Sequence, residues 1–131
     1  MSAAAAIVAQ LRAARLHWHE IEPGIRVQLD TPSVLAARRL VGAMDAGSDE
    51  AITLTAGLIR AWEGVTGELI QGRGVGSAEV LPVSVDLAAL VLADRPAWLT
   101  ALAVAAVNQA GDALKRAEAA RGNSPTSSTG S

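Results

Sequence analysis

The sequence predicts an α+β domain, mostly helical, in which a β-hairpin near the N-terminus packs on about four to five helices. Two alternating runs, Leu16 to Glu22 and Ile25 to Leu29, flank Pro23-Gly24, a pair suited to a type II turn. Downstream, apolar residues recur at helical spacing in segments opened by Ser, Thr or Pro and closed by Gly or Pro. A length of 131 residues, half of them hydrophobic, suffices for one core and not for two. Residues 1–121 therefore read as a single globular domain, and 122–131, built from Gly, Asn, Ser, Pro and Thr, as a disordered polar tail.

Residues 3–15 favour helix by their alanines, with Ile7 and Leu11 as the larger apolar groups, and such a short segment needs docking to persist. In the hairpin that follows, Ile25, Val27 and Leu29 share one face of the second strand and leave Arg26, Gln28 and Asp30 to water. Thr31 then caps a helix with Pro32 at its first position, where a missing amide costs nothing. That helix reaches about Met44, with Val34, Ala37, Val41 and Met44 on one stripe and Leu40 alongside. A short link leads to a central helix, residues 49–66, capped by Ser48, charged by Asp49 and Glu50 in its first turn, and stopped at Gly64. Ile52, Ile59 and Trp62 lie on its apolar side, with Leu54 and Leu58 beside them, which makes an antiparallel helix pair. Residues 67–80 hold four glycines and read as a mobile loop. Ser84 caps a helix to about Ala93, Asp94-Arg95-Pro96 ends it, and a last helix runs from Pro96 to about Ala120 with Gly111 weakening its middle.

Composition excludes several functions. The net charge of -2 comes from scattered groups, and no basic run is longer than the two residues of Arg38-Arg39, so no nucleic-acid surface is expected. Absence of cysteine removes disulfides and thiolate chemistry together. The apolar stretch Leu87 to Val107 is broken by Asp94-Arg95-Pro96, so no membrane span is expected either. His17, His19 and Glu22 are the nearest approach to a metal-ligand set, and two imidazoles on the solvent face of a hairpin are the plainer reading. Gly72-Arg73-Gly74-Val75-Gly76 matches neither phosphate-binding spacing, and no helix opens directly behind it. No nucleophile elbow or convergent acid pair occurs. A non-enzyme without cofactors is expected, and the sequence admits a homo-oligomer.

Phe and Tyr are absent, so the three tryptophans stand out. Trp62 and Trp98 read either as core anchors or as hot spots of a partner surface. Three stretches bear on the second reading: Gly24 to Ser33 running into a helix, Leu58-Ile59-Arg60-Ala61-Trp62-Glu63-Gly64-Val65-Thr66, and Pro82-Val83-Ser84 followed by Leu87, Leu90, Asp94, Pro96, Trp98 and Leu102. Together they resemble the small tail assembly chaperones of long-tailed bacteriophages and prophages, over roughly residues 20 to 107. Val83 stands where that family has an aromatic, and the family's Trp-containing stretch ends a helix. The resemblance implies a host-cytoplasmic protein that binds and solubilises the long, helical tape measure protein and helps tail tube subunits assemble around it. Trp62, Val65, Trp98 and Leu102 are then the candidates for the partner face. A structural virion protein of the neck or tail is the alternative.

Overall fold

A computed structural model describes residues 2–122. Six helices and three strands follow one another as α1 (Ala3–Ala14), β1 (Leu16–Glu22), β2 (Ile25–Asp30), α2 (Val34–Asp45), α3 (Glu50–Ala56), β3 (Ile59–Glu63), α4 (Gly67–Gln71), α5 (Val85–Asp94) and α6 (Pro96–Gly122). The fold class is the expected α+β one, with a three-stranded antiparallel sheet in the order β1-β2-β3. The polar tail expected over 122–131 lies outside the described residues except for Gly122, which ends α6.

The hairpin forms where expected, Gly24 supplying the positive φ its turn requires. On β2, Ile25, Val27 and Leu29 are buried and set the inner face of the sheet. The expected central helix over 49–66 is a correction. Only Glu50–Ala56 is helical, and after Gly57 the chain becomes β3, pairing Val27 with Trp62 and Leu29 with Ile59. A bulge causes the misreading: Gln28 faces Ala61 while Leu29 faces Ile59, so Arg60 is an extra residue. Ile59 and Trp62, three apart, thereby reach the same face, a spacing that in the sequence counts as helical. The Leu58 to Thr66 stretch is thus a strand and turn, not the helix implied by the family resemblance.

Beyond β3 the backbone closes up. Gly64 has φ +81° and lies so near the Gly24 carbonyl that a Cβ would come to 2.2 Å from that oxygen. The expected loop over 67–80 contains α4, capped by Thr66 Oγ1, which accepts from the Leu69 amide at 3.0 Å. It is drawn shut by an amide-to-carbonyl bond from Glu68 to Ser77 at 2.8 Å and a bridge between Thr66 and Val80.

Helix starts follow their caps. Ser33, not Thr31, caps α2, accepting from the Ala36 amide at 3.1 Å, and Ser84 accepts from the Leu87 amide at 3.1 Å as expected. Ser48 accepts from the Glu50 amide at 3.1 Å, one residue ahead of the N-cap Asp49. Thr31 is buried instead, donating to the Arg15 carbonyl at 2.7 Å.

The core joins the inner face of the sheet to α2, α3, α5 and the first half of α6 through Val27, Leu29, Leu40, Val65, Leu92 and Leu102. Each large side chain there supplies about 1.5–3 kcal/mol of burial, against little from the alanines between them. Thr55 Oγ1 is buried in this core with no hydrogen-bond partner among the described residues. No single described helix is long and apolar enough to cross a membrane, and the one pair that passes jointly, α5 with α6, is bent by 119°.

Candidate functional site

The four residues nominated by the sequence all lie in the core. Trp62 is 7% exposed, Val65 0%, Trp98 5% and Leu102 1%. Trp62 Nε1 donates to the Leu81 carbonyl at 2.6 Å, tying β3 to the chain leading into α5. Trp98 Nε1 donates to Glu22 Oε1 at 3.0 Å, and Arg95 sits 5.1 Å from its ring centroid. Glu22 can reach inward because a second bulge, between Glu20 and Glu22, brings it opposite the buried Ile25. Both indole N–H groups are therefore satisfied inside the fold, as buried tryptophans require. These residues hold the sheet to the helices.

The histidines are also a correction. Pairing puts His17 opposite Leu29 and His19 opposite Val27, on the inner face, while Trp18 points outward at 37% exposure with Arg26 4.7 Å from its ring centroid. His19 Nε2 lies 2.5 Å from Gln109 Oε1. The protonation of that contact follows from its neighbours. Gln109 Nε2 donates to the Leu29 carbonyl at 3.3 Å and to Thr31 Oγ1 at 3.0 Å, so the amide oxygen must face His19 and His19 Nε2 must carry a proton. Gln109, buried on α6, thus links β1, the end of β2 and, through Thr31, the Arg15 carbonyl at the base of α1. No group of three or more His, Cys, Asp or Glu able to hold a metal comes together among the described residues.

What the surface offers instead is an apolar groove between α2 and α6. Val34, Ala37, Val41 and Met44 form one wall, the stripe expected for α2, but the helix is rotated so that Leu40 and Ala43 go into the core. Val104, Val107, Gly111 and Leu114 form the other. Both walls repeat at i, i+3, i+7 and i+10, the spacing by which helices interlock along a seam. The walls run antiparallel, since Val34 shares one end of the groove with Leu114 and Met44 shares the other with Val104. Two adjoining clefts of about 290 and 210 Å³ make up its length. Val34, Val41, Val104 and Leu114 are 39% to 52% exposed along it, and Gly111 has open space where a Cβ would lie. Arg38 and Asp45 are the charged groups on its lining, one on each cleft.

Sequence reasoning found the α2 wall and missed the α6 wall. Its signal was present in the spacing of Val104, Val107, Gly111 and Leu114, masked by a helix otherwise made of alanine and polar residues. Chemically the groove offers shape and apolar contact, with Arg38 and Asp45 as its charged groups: a length of seam that a third helix with matching spacing can fill. No family model, curated protein or solved structure matches the chain.

Proposed function

We propose that this protein is a non-catalytic tail assembly chaperone of a long-tailed phage or prophage, acting in the host cytoplasm. In this reading it holds amphipathic helices of the tape measure protein in the α2–α6 groove and brings tail tube subunits to them. The single observation that carries the reading is the groove itself, two matched apolar seams exposed side by side with room for a third helix. A long helical client presents such stripes in series and aggregates through them when they stay bare. The sequence resemblance supplies the identity of the client, and the groove supplies the means of holding it. Trp62, Val65, Trp98 and Leu102 act in this scheme as part of the core on which α6 is seated.

Affinity capture of the tagged full-length protein from producing cells during assembly tests the reading. The expected result is co-recovery of a very long helical protein with tail tube subunits, lost when Val41→Asp places a charge in the groove, and absence of the protein from mature particles. Recovery of neck or capsid proteins, with many copies retained in purified particles, would make it a structural virion protein instead.

A further inference from the structure

Helix α1 carries the same seam as the groove. Ala4, Ile7, Leu11 and Ala14 recur at i, i+3, i+7 and i+10, and nothing on the helix is buried, Ile7 being 54% and Leu11 61% exposed. A 12-residue helix of this kind is marginal in water without a surface to dock on. Its base is tied to the end of β2. The Arg15 carbonyl accepts from the Thr31 amide at 2.9 Å and hydroxyl at 2.7 Å, and the Arg15 guanidinium pairs with Asp30 at 3.2 Å and donates to the Thr31 carbonyl at 3.1 Å. The strand β1 begins one residue later, so no linker is left to act as a hinge.

We infer that α1 of one copy docks in the α2–α6 groove of a second copy, each of the two copies supplying a helix to the other. The lengths agree, α1 and α2 both having 12 residues. Charge sets the direction. Run parallel to α2, α1 brings Arg12 within a turn of Asp45 and the C-terminal carbonyls of α2, whereas the reverse direction sets Arg12 against Arg38. Neither Arg12 nor Asp45 makes an ion pair among the described residues. In the parallel register Leu11 meets Val41 and Val107, and Ile7 lies over Gly111, where the missing Cβ leaves it room. One short helix in one groove falls below the roughly 1,600 Å² of a standard stable interface, and the two-fold exchange doubles what is buried. The tail beyond residue 122, built from Gly, Asn, Ser, Pro and Thr, has no apolar group to fill the groove in place of α1. A client helix and α1 then compete for one seam, so self-association covers the groove until a client displaces it.

The exchange is independent of which client the groove takes, and its test contains no client. The natural chain has no cysteine, so single thiols can be placed freely. Leu11→Cys and Val41→Cys versions of the full chain are purified separately, mixed and oxidised, with Val80→Cys, 52% exposed, replacing Val41→Cys as control. Expected are a disulfide-linked L11C–V41C heterodimer in at least tenfold excess over the V80C control and, by light scattering, a dimer of the unmodified protein. Leu11→Asp should convert that dimer to monomer with the helical circular dichroism of α2 to α6 kept. A monomer at every concentration up to about 100 µM, equal crosslinking to V80C, or a purely intramolecular disulfide when both thiols share one chain overturns the proposal. Failure here leaves capture of the tape measure protein by the groove intact. Dimerisation without capture leaves the exchange standing and removes the chaperone reading.

Discussion

The two halves of α6 use the same alanine-rich helix for opposite ends. From Trp98 to Ala106 its inner face, Trp98, Leu102, Ala103 and Ala106, is engulfed in the core, while Val104 looks out on the groove. From Val107 onward α2 and, through Gln109, the sheet stand beside it, and Val107, Gly111 and Leu114 are left along an open groove. Twenty-seven residues make a helix of about 40 Å, longer than the core it crosses. The difference teaches that the large side chains decide where the core ends. Trp98 and Leu102 meet bulky partners from several elements, while the small residues Ala110 and Gly111 let α2 approach without filling the space above.

The sharpest break between the halves is in stability. Trp98→Ala removes the largest anchor of the first half together with the bond to Glu22, and should cost about 3–5 kcal/mol in urea unfolding. Trp98→Phe keeps a ring in the cavity and loses chiefly the N–H donor, for about 1 kcal/mol. A Trp98→Ala variant with an unchanged midpoint would mean that the first half is as dispensable to the fold as the second.

Gln109 marks the boundary and should give the next largest effect. Gln109→Leu preserves volume but strands the Leu29 carbonyl and the His19 N–H, so a loss of about 2–3 kcal/mol is expected in thermal or chemical denaturation. Hydrogen exchange offers an independent reading, since α1 hangs from Thr31 and should lose protection before the sheet does.

How legible these regions are in the sequence differs for physical reasons. The hairpin, α2, α5 and α6 show themselves because each has a turn or cap residue at a fixed offset from a periodic run, and those signals are local. The strand β3 is hidden, because the extra Arg60 of its bulge gives Ile59 and Trp62 the three-residue spacing of a helix. The bulge exists only against β2, so no local signal could reveal it. Likewise His17 and His19 alternate with Trp18 on β1, and only the helix laid across the sheet decides which set is inside; the polar set won because Gln109 offers it a partner. Trp62 and Trp98 were legible as core anchors, and their burial favours that reading over an exposed partner surface. The groove was half legible: α2's stripe is plain, and its exposure depends on Leu40 and Ala43 turning inward instead.

A smaller change probes the core shared by the first half. Thr55→Val exchanges a buried hydroxyl without a partner for a methyl group, and should stabilise the protein by about 1 kcal/mol in the same unfolding assay. A destabilisation of that size would show that the hydroxyl is bonded in solution.

The smallest effect on stability separates folding from docking most cleanly. Gly111→Ala adds a Cβ that meets nothing within 4 Å, in the middle of a long helix, so propensity alone should stabilise the chain by roughly 0.5–1 kcal/mol. The same methyl group occupies the space above the groove floor where an incoming helix would set a large side chain. Stability should therefore rise while association, read as the dimer dissociation constant by analytical ultracentrifugation, weakens several-fold. Those opposite signs cannot come from a general loosening of the fold, which would lower both. If Gly111→Ala raises the melting temperature and leaves association untouched, the floor of the groove bears on no partner, and the second half of α6 is simply a helix that outruns its core.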